Sequence, residues 1–201
     1  MKRILHLNSS ILGAGSASLK LGEAIVQKIQ EKYPVHTIES LDLVATAMPH
    51  LTPGVLQTFF IPADQLTEED KAAKRLSDDL IRQLLAADII VIGAPLINFT
   101  IHSSLKAWID HITRRDVTFG YDANGFPLGL ITSKKVYVAM SSGGVYSEGP
   151  GKANDFVAPY LKAFLGFLGM TDLTVFRAEG LHVPGVKEQA MQKALDSIMI
   201  D

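Results

Sequence analysis

Four serines, Ser9, Ser10, Ser16 and Ser18, share one short stretch with Gly13 and Gly15. Hydroxyls and unhindered backbone amides at that density are groups that hold a phosphate, above all where a helix begins. Two other readings compete. Gly13-Ala-Gly15-Ser-Ala-Ser18 is a partial dinucleotide fingerprint, with Ser18 where the third glycine belongs and Glu39 about 20 residues on. The loop is long for that device, since ten residues separate Leu7 from Ser18. The remaining reading is a polar turn with a serine helix cap.

Two further clusters could take part in the same chemistry. In Pro95-Leu96-Ile97-Asn98-Phe99, the proline stops an apolar run and more apolar side chains follow it. At a strand end they form either an apolar wall for a flat ligand or a core cover. In Ser141-Ser142-Gly143-Gly144, the missing side chains let backbone N–H groups approach a ring edge, although any glycine turn looks the same. Together the clusters offer a phosphate cradle, an apolar wall and a donor edge, the three surfaces that a flavin mononucleotide needs.

The elements that must position them read from hydrophobic periodicity. Lys2–Leu7 forms a first strand, and Ser18–Lys32 a helix with Leu19, Gly22, Ile25, Val26 and Ile29 on one face. Val35–Glu39 is a short strand, and Asp42–Gln65, broken by three prolines, is irregular. Thr67 caps a helix running to Ala86 on Ala73, Leu76, Leu80 and Leu84. Ile89–Gly93, "IIVIG", is apolar without alternation, as in a parallel strand covered on both faces. After a further helix, Asn124-Gly125 signals a hairpin. Val136–Met140 and Leu173–Ala178 are strands, and Phe156–Leu168 and Lys187–Ile200 helices. Strands alternating with helices predict one α/β domain over residues 1–201, with a parallel sheet and ligands beyond its carboxyl ends.

Composition narrows the classes. The 201 residues are 47% hydrophobic and 20% charged, with a formal net charge of −2, which argues against nucleic acid and strongly anionic partners. No apolar run approaches a membrane span, and polar residues interrupt the start too early for a signal peptide. There is no cysteine, so thiol chemistry is excluded, a cytoplasmic location is expected, and redox work falls to a bound cofactor. The histidines show no metal-ligand spacing, so no metal is expected. No G-x-S-x-G elbow marks a hydrolase. His111 reads as a packing or interface residue, and His102 as a helix start that could reach phosphate or substrate.

The segments "SSILGAGSAS", "APLINFTIHSSLKAWIDHITRRDVTF", "LITSKK", "SSGGVY" and "PYLKAFLGFLGMTDL" resemble the FMN-dependent NADH-azoreductases, flavodoxin-like relatives of the NAD(P)H quinone reductases. The resemblance runs from about Arg3 to Ala194. It implies a three-layer α/β fold with a five-stranded parallel sheet of order 2-1-3-4-5 and FMN at the switch point. It implies a homodimer with interfacial sites, taking NADH or NADPH as donor and a quinone or azo compound as acceptor. Carried over by position, Ser10, Ser16, Ala17 and Ser18 resemble phosphate-binding residues. Pro95, Leu96, Ile97, Asn98 and Phe99 resemble the segment along the isoalloxazine. Ser141, Ser142, Gly143 and Gly144 resemble the loop on its pyrimidine side. Phe119, Tyr121 and Phe164 fall where the family brings aromatics from the partner subunit to the substrate-pocket rim. The family commonly has an aromatic at position 97 and often an arginine at 142, where this chain has Ile97 and Ser142. No side chain is expected to act as catalytic acid, base or nucleophile, because the flavin carries the chemistry. The alternatives are a flavodoxin-type electron carrier, normally far more acidic, and a non-enzymatic flavin-binding subunit.

Overall fold

The computed structural model describes residues 1–201. Seven β-strands and six α-helices follow one another along it. β1 (Lys2–Asn8), β2 (His36–Asp42), β3 (Ile89–Pro95), β6 (Lys135–Ser141) and β7 (Asp172–Ala178) form one parallel sheet in the order β2-β1-β3-β6-β7. Counted within the sheet this is 2-1-3-4-5, the flavodoxin-like arrangement, and its direction of winding reverses between β1 and β3. β4 (Phe119–Tyr121) and β5 (Pro127–Gly129) form a separate antiparallel hairpin around Gly125 (φ +83°), where the Asn-Gly signal lies.

The period-two geometry of strands explains why "IIVIG" shows no alternation. Ile89 and Val91 enter a cluster with Leu21, Ile25 and Ile29 of α1 (Ala17–Lys32) and Ala194 of α6 (Lys187–Asp196). Ile90 and Ile92 point the other way, into a larger cluster. That cluster holds Leu80 and Leu84 of α3 (Glu68–Ala86), Leu105 and Trp108 of α4 (Ser103–Ile112), and Leu161 and Leu165 of α5 (Ala158–Phe167). Both faces are apolar because both are covered.

Local signals place the helix ends. Thr67 and Asp70 close a full capping box at the start of α3. The sequence reading misassigns one residue on each of two helix faces: Leu21 rather than Leu19 is buried in α1, and Ser77 rather than Ala73 is buried in α3. It also misses a helix. Within 42–65, α2 (Pro53–Thr58) forms because Thr52 accepts from the Val55 N–H and Pro53 occupies the first turn. A proline there needs no hydrogen-bond partner, so Thr-Pro starts a helix as readily as it breaks one. No helix is long and apolar enough to cross a membrane.

Candidate functional site

The loop after β1 is anchored before it turns. The Ser9 hydroxyl donates to the Gly93 carbonyl (2.7 Å), tying the loop to β3. The Ser10 N–H donates to Asn8 Oδ1 (3.2 Å), and the Asn8 amide donates to Asp42 (3.1 Å). Desolvation opposes the Asp42 charge, but N–H groups of Ala45 and Val44 and the Asn8 amide outweigh it and hold the carboxyl below its usual range. The chain then turns through Gly13 (φ +51°), a conformation that side chains disfavour, into one 3₁₀ turn, Gly13–Gly15.

Ser16, not Ser18, caps α1, accepting from the Leu19 N–H (3.1 Å). The Ser16 and Ser18 hydroxyls are buried and lie 3.0 Å apart. At a helix start the leading amides, here those of Ala17 and Ser18, have no intrahelical carbonyl to serve, and the helix dipole favours negative charge there. α1 carries no acidic residue in its first turn, whereas α3 carries three, Glu68, Glu69 and Asp70. The end of α1 is thus left free for an outside anion.

The loop after β3 is a tight turn under strain. Leu96 N–H donates to the Ser141 carbonyl (2.7 Å), and Ile97 and Thr100 exchange backbone bonds of 2.9 and 3.1 Å. Between them Asn98 (φ +50°) and Phe99 (φ +71°) are both left-handed, as in a type I′ turn. Asparagine tolerates this; phenylalanine does so at a cost of order 1–3 kcal/mol. The turn projects Phe99 outward, edge-on to Tyr146 (6.4 Å between centroids).

The loop after β6 is zipped to the one after β7. The N–H groups of Gly180, Leu181 and His182 donate to the carbonyls of Gly144 (2.9 Å), Ser142 (3.2 Å) and Gly143 (2.9 Å). The Glu179 carboxylate accepts from the N–H groups of Tyr146 (2.9 Å) and Ser147 (3.0 Å) and from the Ser147 hydroxyl. Ser142 is turned inward, donating to the Gly144 carbonyl (2.9 Å).

These loops enclose a cavity of about 430 Å³ at the carboxyl ends of β1, β3 and β6. Ser10, Ser16 and Ala17 line it at the end of α1, Pro95, Leu96 and Ile97 form its apolar side, and Ser141, Ser142 and Gly143 a third side. The first, second and third sequence clusters therefore meet in space. Ser18 lies behind Ser16, and Asn98, Phe99 and Gly144 stand outside the wall. Ile11, Leu12, Gly15, Leu181 and His182 also line the cavity; the sequence reading placed Gly15 in the phosphate loop without naming it as a site residue, and the other four escaped it. The first three lie within the serine-rich loop itself. The last two follow the fifth sheet strand, whose carboxyl end was not considered.

Phe119, Tyr121 and Phe164 do not reach this cavity. Phe119 meets Phe167 (4.8 Å) and Tyr121 (6.0 Å), and Phe164 stacks on Tyr160 (6.1 Å). His102 caps α4, its Nδ1 accepting from the Ser104 N–H (3.2 Å). His111 is buried, its Nε2 3.1 Å from the Pro49 carbonyl, in the packing role expected of it.

The model of a family described as flavodoxin-like fold matches residues 2–199. The chain belongs to this flavodoxin-like family. It is 47% identical over 181 residues to an FMN-dependent NADH:quinone oxidoreductase of Herminiimonas arsenicoxydans, covering 90% of this chain and 88% of that one. A relative of the same name from Agrobacterium fabrum is 44% identical over 195 residues, covering 96% and 95%. Among solved structures, an azoreductase from Bacillus anthracis str. Sterne superposes with a TM-score of 0.89 at 32% identity, covering 98% and 96%. An FMN-dependent NADH-azoreductase from Bacillus anthracis str. Ames Ancestor, in complex with FMN, gives 0.85 at 28% identity, covering 97% and 95%. Within the flavodoxin-like family, then, the cavity of this chain sits at the position where the winding of the sheet reverses.

Proposed function

We propose that this chain is an FMN-dependent oxidoreductase that carries two electrons from NADH or NADPH to quinones and azo compounds. One observation carries the reading: a single cavity joins a helix N-terminus free of acidic residues, an apolar wall and a glycine-serine edge. The relatives' names supply the substrate classes.

The residues present fit FMN. No lysine or arginine lines the cavity, so a terminal phosphate would rest on the leading amides of Ala17 and Ser18 and the hydroxyls of Ser10 and Ser16. The buried Ser18 hydroxyl steadies Ser16 from behind. Leu96 and Ile97 exclude water from one side of the ring space. Gly143 and Gly144, fixed through their carbonyls by the loop after β7, leave backbone N–H groups for the ring's polar edge. Bound there, FMN would supply two-electron redox chemistry between the nicotinamide and the acceptor. The protein's part is to bind, orient and keep water out, and no side chain serves as acid or base.

A homodimer belongs to the proposal. The region of the β4–β5 hairpin exposes Phe126 (67%), Tyr121 (51%) and Leu128 (49%), and Phe156 (55%) is bared on another loop, apolar surface that a second copy would cover. Phe119, Tyr121 and Phe164 would then approach the partner's cavity rim. A single domain spanning 1–201 and a cytoplasmic location are part of the same reading. A net charge of −2 weighs against a flavodoxin-type carrier.

The test is direct. The purified protein should take up FMN and show flavin absorbance that bleaches on anaerobic addition of NADH, then returns with a quinone. Absence of flavin uptake refutes the proposal, and uptake without bleaching leaves a carrier or sensor instead.

A further inference from the structure

Of the side chains lining the cavity, only His182 can ionise. It arrives there on the loop after β7, and its own N–H donates to the Gly143 carbonyl (2.9 Å). The imidazole packs against Gly143: a Cβ at that position would stand 2.8 Å from Nδ1 and 3.3 Å from Cγ. Glycine at 143 is what lets the ring come this close. His182 as a residue is exposed to solvent.

No neighbouring charge takes over its role. The Ser141–Ser147 segment carries none, and the first turn of α1 has no acidic or basic residue. Glu179, on the same loop, is committed to the Tyr146 and Ser147 amides. Lys187 and Glu188, at the start of α6, are exposed, of opposite sign, and outside the cavity wall.

We infer that His182 is the electrostatic specificity residue of this cavity, its imidazole holding reduced FMN in preference to oxidised FMN. The inference rests on the FMN reading above. Oxidised isoalloxazine is neutral, while the reduced ring gathers negative charge at its pyrimidine edge, the edge assigned to Gly143 and Gly144. A histidine changes charge between pH 5 and 8, and a charge beside that edge tunes the cofactor. His182 is a positioning and tuning group, not a proton donor to substrate.

The experiment titrates apo-protein anaerobically with FMN and with dithionite-reduced FMN at pH 6.0 and pH 8.5. The readout is the ratio of the two dissociation constants. In the wild type, preference for the reduced form should rise about tenfold more between pH 8.5 and pH 6.0 than in His182→Gln, equivalent to about 30 mV for a two-electron couple. His182→Lys, with a fixed cation, should keep the pH 6.0 preference at pH 8.5. Protonation of free reduced FMN is common to all three proteins and cancels. A glutamine variant that tracks the wild type at both pH values overturns the inference, with far-ultraviolet circular dichroism confirming that each variant is folded. If the wild type itself binds no FMN, the function proposed above fails with it, and that outcome is distinct from parallel pH profiles.

Discussion

The hydroxyls of Ser16 and Ser18 lie 3.0 Å apart, both buried, at the mouth of α1. One of them caps the helix and the other holds the cap in place. The Ser16 hydroxyl is also proposed to meet the phosphate, so two roles share one atom and a substitution must separate them.

Ser16→Asp does so. Aspartate caps a helix as well as serine does, so thermal stability should change by less than about 0.5 kcal/mol. Its carboxylate would repel a phosphate, and FMN affinity should fall at least about tenfold. Ser16→Ala should instead lose about 1 kcal/mol of stability along with weaker binding. Denaturant titration and flavin fluorescence, read on the same samples, check both outcomes.

Gly22 of α1 faces His6 of β1 so closely that a Cβ there would stand 2.7 Å from the imidazole Nε2. Alanine normally favours a helix interior over glycine by about 1 kcal/mol. Here Gly22→Ala should destabilise by about 1–3 kcal/mol, because overpacking against a buried ring wins. Adding His6→Ala should recover part of that loss. If the single variant is as stable as the wild type in urea, the contact is looser than described.

The same histidine sets an acid limit. His6 is buried, its Nε2 has no partner, and burial lowers its pKa below the usual value of 6.5. Above that value both folded and unfolded chains hold it neutral, and it contributes nothing to pH dependence. As pH falls below it, the unfolded chain takes up a proton that the folded chain refuses. Stability should therefore drop by up to about 1.4 kcal/mol per pH unit from this group, until the folded-state pKa is reached. His6→Leu should flatten the fall in urea midpoint between pH 7 and pH 5 relative to the wild type.

Phe99 occupies a left-handed position that glycine would accept freely. Phe99→Gly should leave stability unchanged or raise it by about 1 kcal/mol, while losing the edge-on contact with Tyr146. The expected functional cost is weaker FMN retention or a raised KM for the quinone. A variant that is less stable and functionally unaltered would show that Phe99 serves packing alone.

The fold was legible because its signals are local. Apolar runs such as Ile89–Gly93 announced buried parallel strands, and Thr67 with Asp70 announced a helix start. The Asn124-Gly125 pair likewise marked the hairpin. α2 was missed because Thr52-Pro53 reads equally as a break and as a cap. The site was partly legible for a related reason. Its serines and glycines lie at strand ends, where the alternation of strand and helix must place a ligand. His182 also follows a strand end, that of β7, but Gly143, the site residue it packs against, is 39 residues earlier in the chain, and no local pattern connects the two.

By itself the sequence determined the strand and helix pattern, the class of sheet, and three loops with the right chemistry for a phosphate and a flat ring. Those properties depend on neighbours along the chain, through periodicity, caps and turns. Only the tertiary structure decided which side chains face one another: that Ser16 rather than Ser18 caps α1, that Gly22 yields to His6, and that the loop after β7 delivers an imidazole to Gly143. Such contacts arise from strand order and register, which bring together residues that no local pattern connects.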